Sequence, residues 1–139
     1  MPFTNYLDQQ LTRLLFSNTT YTIPATWYFA LSTTTPVQGA SPNFTEPSGN
    51  GYARVAVTNN TTNFTPIASP PASGYTMQNN QPVTFPSATG SWGTITYFGL
   101  YDASTSGNLV GFGALTSSQA ISAGITPSFA VGALTITNN

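Results

Sequence analysis

The chain has 139 residues, 40% of them hydrophobic and only 4% charged, with two basic side chains, three acidic ones, and no histidine or cysteine. That length holds one core and one domain, 1–139; the absent cysteine excludes disulfides, thiolate metal sites and thiol catalysis, and two arginines make nucleic acid a poor partner. A surface built of Thr, Ser, Asn and Gln has little charge repulsion and suits a protein that works packed in an assembly.

The first sixteen residues, MPFTNYLDQQLTRLLF, lack a basic stretch before an apolar block, so a secretory signal is not expected. No run approaches the roughly 18 apolar residues of a membrane span. Residues 5–16 read instead as a short amphipathic helix, with Leu7, Leu11, Leu14 and Leu15 on one stripe. Asn5 is its expected cap, with Asp8 as the reciprocal acid. A helix this short needs a partner, so the stripe must lie on the sheet or on a neighbouring subunit. Asn18-Thr19-Thr20 ends it.

Trp27 to Leu31 reads as the first core strand. Two long polar loops, about 33–51 and 59–81, flank an alternating strand from Tyr52 to Thr58. Ala53, Val55 and Val57 are expected inward, with Tyr52, Arg54 and Ala56 on the other face. Loops this long in a small domain usually make contacts. Phe64 to Ile67 is a candidate edge strand, because Pro66 lacks a donor.

The longest alternating run follows at Ser91 to Tyr101 and is read as the central strand. Trp92, Thr94, Thr96, Phe98 and Leu100 point one way, and Ser91, Gly93, Ile95, Tyr97 and Tyr101 the other. A turn through Ser106-Gly107-Asn108 returns the chain as Leu109 to Leu115, a hairpin. A brief strand at Ala120 to Ala123 and a closing one at Phe129 to Thr137 complete the pattern. The tetrad Gly-Ala-Leu-Thr occurs at Gly113 and again at Gly132, in strands that are candidates to pair. The expected fold is all-β: a single antiparallel, jelly-roll-like β-sandwich with one short N-terminal helix. Its core is expected from Phe29, Leu31, Val55, Val57, Phe85, Ile95, Phe98, Phe112, Leu134 and Ile136.

Chemistry finds little to work with. Asp8, Glu46 and Asp102 occupy a helix start, a Pro-rich loop and a turn, ordinary solvent positions for acids, and no serine has a histidine or lysine base. No catalytic, cofactor or metal residues are expected. Trp27 and Trp92 read as core. Arg54 either reaches solvent with its stem over Tyr52 or anchors a contact by pairing with a partner's acid. The interface candidates are Leu7, Leu11, Leu14 and Leu15 on the helix, with Tyr52, Arg54, Tyr97 and Tyr101 on the strands. For a glycan platform, Tyr75 and Tyr101 are the most available aromatics.

Four segments carry a resemblance: the helix ending in Leu14-Leu15; Tyr28-Phe29-Ala30-Leu31-Ser32 with its Thr-Pro loop; Gly49-Asn50-Gly51-Tyr52-Ala53-Arg54-Val55-Ala56-Val57; and Val83-Thr84-Phe85-Pro86 through Trp92-Gly93-Thr94. The last continues into Phe98-Gly99-Leu100-Tyr101-Asp102-Ala103, Gly107-Asn108-Leu109 and both Gly-Ala-Leu-Thr tetrads. The chain resembles a family of small bacteriophage virion proteins, often labelled tail-fibre-like or head-fibre-like. It departs from that family at Ser117-Ser118 and Gln119, where a Pro-Lys pair is common. The resemblance implies a non-enzymatic structural protein at the outer surface of the virion. Its implied partners are itself and either the major capsid protein or other virion proteins. A homotrimer is expected from the low charge and two-faced strands, three being chosen by analogy with decoration and fibre proteins. The favoured role is capsid cement or decoration, because neither a shaft nor a stalk accompanies the domain. The alternative is a tail or baseplate fibre component that contacts the host surface.

Overall fold

Leu7, Leu11, Leu14 and Leu15 recur at helical spacing, and helix α1 (Asn5–Phe16) forms where that spacing predicts it. The computed structural model describes residues 3–65 and 75–138. The N-cap is Thr4, one residue before the expected Asn5, and Thr4 turns its hydroxyl away from the helix to donate to the Leu109 carbonyl. The Asn5 amide donates to the Gln38 carbonyl at 3.0 Å. A loop and a strand, rather than a side-chain cap, thus satisfy the first turn and hold it against the body.

The rest is β: β1 (Thr26–Ser32), β2 (Val55–Thr58), β3 (Phe64–Thr65), β4 (Tyr75–Asn79), β5 (Val83–Thr84), β6 (Gly93–Tyr101), β7 (Leu109–Ile121), β8 (Ser128–Phe129) and β9 (Thr135–Asn138). All these strands pair antiparallel, in three sheets of order β2-β1-β6-β7, β3-β4-β9 and β5-β8. The protein is therefore all-β with one helix. The edge strand expected at Phe64 to Ile67 is β3 as far as Thr65; Pro66 and Ile67 lie outside the described residues.

β6 takes the central place expected of it, between β1 and β7. Its alternation, however, is interrupted. Ile95, Phe98 and Leu100 all enter one core although Ile95 and Phe98 differ in parity. Ile95 pairs with Gln119 and Tyr97 with Ala114, so Thr96 alone stands opposite Leu115 to Ser118. Such a bulge reassigns the faces of a strand on either side of it. The same irregularity lets β7 run unbroken to Ile121, joining two segments that the sequence reads as separate strands.

Phe29, Leu31, Phe85, Ile95, Phe98, Leu134 and Ile136 are buried in this core, with Val55 and Val57 half-buried against it. Phe112 is not among them. It packs with Ala30, Tyr101 and Leu109 in a smaller cluster on the opposite face of the four-stranded sheet, beneath Phe44 of the 33–51 loop. The two Gly-Ala-Leu-Thr tetrads do not form a ladder either. A Cβ at Gly113 would lie 2.3 Å from the Thr135 carbonyl oxygen and 2.7 Å from the Phe98 ring. Glycine there allows β7 and β9, members of different sheets, to touch backbone to side chain-free backbone.

The closing strand expected at Phe129 to Thr137 is split by a turn, and the cause is Asn79. Its side chain, buried in β4, donates to the carbonyls of Gln81 and Ala130 at 2.9 Å and accepts from the Leu134 amide at 2.9 Å. The Gly132 amide reaches the Asn79 carbonyl at 2.8 Å. One buried amide thus supplies the partners that residues 130–134 lose by leaving the ladder.

Candidate functional site

The Gly49-Asn50-Gly51 turn has positive φ throughout, 68°, 52° and 78°, a conformation open mainly to glycine and asparagine. It folds onto the approach to β6, where the Asn50 carbonyl accepts from the Trp92 indole at 2.8 Å and the Thr89 amide at 2.9 Å. Tyr52 is thereby placed edge-on to Trp92 and stacked on Phe85, with ring centroids 5.2 and 6.5 Å apart. Its hydroxyl accepts from the Leu31 amide at 3.0 Å and donates to Glu46 Oε1 at 2.7 Å.

Arg54 completes the cluster. Nε and Nη2 donate to the two Glu46 oxygens at 2.9 and 2.7 Å. Nη1 donates to the carbonyls of Ala103 and Ser106 at 2.7 and 2.8 Å. The guanidinium carbon lies 3.6 Å from the centre of the Tyr101 ring, whose other neighbour is Phe44, edge-on at 5.5 Å. The Arg54 side chain is 7% exposed and that of Glu46 23%. Burial raises the Tyr52 hydroxyl far above its ordinary value, and the Glu46 charge adds to the effect. Tyr101 is raised for the same two reasons, partly offset by Arg54. Burial opposes the Arg54 cation, but the hydrogen bonds and charge of Glu46 outweigh it and raise its pKa.

Of the sequence-derived candidates, Tyr52, Arg54 and Tyr101 are thus brought together inside the chain. The acid that Arg54 meets is its own Glu46, and little of its side chain is left exposed. The scarcity of charge was the available signal: in a chain with two bases, a loop acid has few other partners. Asp102, another of the three acids named from the sequence, accepts from the backbone and side-chain amides of Asn108 at 2.7 and 2.9 Å and closes the β6–β7 turn. Tyr101 offers no platform for a sugar, since Arg54 covers one face of its ring, Phe44 packs against it and it is 9% exposed. The Tyr75 side chain lies outside the described residues. Tyr97 is half-buried and, with Val37 and Phe112, lines a shallow open depression on the outer face of the four-stranded sheet.

The helix stripe divides. Tyr6 and Leu7 pack against the main core and Leu11 is half-buried, whereas Leu14, Leu15 and Phe16 are 42%, 71% and 82% exposed. Beside the first turn, between helix and sheet, opens an apolar cleft of about 210 Å³ lined by Phe3, Leu7, Trp27, Met77, Val110 and Ile136, among others. Among the described residues there is no cluster of three acids that would hold a metal, and no helix long and apolar enough to cross a membrane.

Residues 2–137 match the family model described as Podophage GP4 fiber I protein gp80. No curated protein matches the chain. A match to a fibre family over nearly the whole chain corrects the expectation of a capsid cement or decoration protein, and supports the alternative, a fibre component.

Proposed function

The chain belongs to the Gp80 family of podophage fibre proteins and is a non-enzymatic structural protein of the virion surface; from that premise we propose that it is a fibre subunit which assembles as a homotrimer through the exposed end of α1. The observation that carries this reading is the row Leu14, Leu15 and Phe16, three large apolar side chains left in water at the end of a helix whose first turn packs on the core through Tyr6 and Leu7. Burying them removes apolar surface from water, at roughly 25 cal/mol per Å². A chain with formal net charge −1 does little to oppose that association. Three copies rather than two follow the analogy with other fibre proteins.

The subunit is read as one domain, 1–139, with a sandwich-like body. Support comes from the core, to which all three sheets contribute: Phe29 and Phe98 from the first, Phe64 and Ile136 from the second, Val83 and Phe129 from the third. The Arg54 cluster is then a structural clamp that holds the 33–51 loop and the β6–β7 turn in fixed positions for contact with neighbouring virion proteins.

Light scattering of the purified chain tests the assembly. A mass three times the 14.6 kDa of one chain is expected, and 14.6 kDa itself at micromolar concentration overturns it. Immunogold labelling of intact particles tests the location. Label at fibres in small copy number is expected; label spread over the head shell contradicts the fibre role.

A further inference from the structure

Resting on the reading of the chain as a self-associating fibre subunit, we infer that its copies join head to tail. The last turn of α1 in one copy seats Leu15 and Phe16 in the apolar cleft beside the first turn of α1 in the next. Both halves of such a contact are present on each chain. The projecting half is the exposed helix end; the receiving half is the cleft of about 210 Å³ formed by Phe3, Leu7, Trp27, Met77, Val110 and Ile136. A cavity of roughly 150 Å³ suffices for benzene, so the cleft has room for the Phe16 ring.

Charge selects this arrangement over a two-fold one. Of the five charged side chains, Glu46 and Arg54 are paired with each other and Asp102 is held by Asn108. Asp8 and Arg13 remain, without an ion-pair partner among the described residues. Asp8 stands in the first turn of α1, next to the cleft residue Leu7, and Arg13 in the last turn, next to the exposed leucines. A two-fold packing of helix ends would set Arg13 against Arg13. Head-to-tail seating sets Arg13 against Asp8 of the next copy, and brings the negative end of one helix dipole toward the positive end of another. Contacts of this heterologous kind repeat around an axis and close into a ring when the rotation fits, which yields a trimer without any further surface.

The chain has no cysteine, so cross-linking has no background. Phe16→Cys is combined with Asn59→Cys, an exposed residue on the cleft rim, and the protein is oxidised. Covalent dimers and trimers are expected from the double variant, and monomers from Phe16→Cys alone. Because the Asn59 side chain donates to the Pro24 carbonyl at 3.0 Å, Met77→Cys replaces it if circular dichroism shows a folding defect. Independently, Asp8→Arg and Arg13→Asp should each weaken association about tenfold, and the double swap should restore it. Covalent dimers from Phe16→Cys alone would establish two-fold packing and overturn the inference. An oligomer that forms no Phe16–cleft cross-link would also overturn it while leaving self-association intact. A chain that is monomeric by light scattering overturns both.

Discussion

Removing Arg54 would leave the part-buried Glu46 carboxylate and Ala103 carbonyl without their donor, while the Ser106 carbonyl, on an exposed turn, can return to water. Breaking a buried pair on one side costs about 3–5 kcal/mol; Glu46 retains some solvent contact, so Arg54→Ala is expected to cost about 3 kcal/mol in urea unfolding. Arg54→Lys should recover only part of it, because an ammonium cannot serve two carboxylate oxygens and two carbonyls in one plane. The same cluster sets an alkaline limit. Tyr52 and Tyr101 hold their protons more tightly folded than unfolded. As pH rises past about 10 the unfolded chain loses these protons first, so stability is complete below that pH and falls above it. The decline is up to about 1.4 kcal/mol per pH unit for each phenol. Thermal unfolding from pH 9 to 11 should show it, with a shallower slope in Tyr52→Phe. In the sequence Arg54 stands out by rarity, but its acid does not: Glu46 lies across a turn whose left-handed residues set a geometry that spacing alone does not encode. Asn79 carries even less signal, since a buried amide among many loop asparagines differs only in what surrounds it.

At the scale of elements, hydrophobic period fixes where strands and helix occur and says little of where they bend. The β1–β6 and β6–β7 pairings are legible because each strand carries apolar side chains at the right spacing. The bulge at Thr96 is not, since Ile95 and Phe98 look like members of opposite faces until the register is seen to jump from Gln119 to Ala114 across Thr96. Phe112 is misassigned for a related reason. Alternation names two faces of β7 but does not say that the 33–51 loop, through Phe44, builds a second cluster on the far one. The repeated tetrad shows the reverse case, a sequence signal whose meaning is contact rather than pairing. Gly113→Ala would place a methyl group against the Thr135 carbonyl. Backbone cannot swing aside as a side chain does, so the substitution should cost about 2–3 kcal/mol. Gly132→Ala is not an equivalent control, because its φ of 77° adds strain of its own. Calorimetry of Gly113→Ala beside Ala114→Ser, an exposed neighbour in the same strand, isolates the clash.

At the scale of the whole molecule, the scarcity of charge and the division of the helix stripe have a joint consequence. Folding and assembly are coupled when a surface left open by the fold is covered by another copy, and stability then depends on concentration. For a trimer, each tenfold rise in chain concentration above the dissociation constant adds about 1 kcal/mol per protomer by mass action. In a domain of 139 residues that corresponds to a midpoint higher by about 3 °C. Replacing Leu15 and Phe16 together with serine should abolish this dependence while leaving the dilute-limit midpoint nearly unchanged, since side chains 71% and 82% exposed contribute little to the isolated fold. Salt supplies the complementary measurement. An apolar contact persists or strengthens as ionic strength rises, whereas an exposed Asp8–Arg13 pair is screened within about 10 Å at 0.1 M. Raising salt to 1 M should therefore weaken the assembly only slightly. A large loss of oligomer at high salt would mean that charge rather than the exposed helix end holds the copies together.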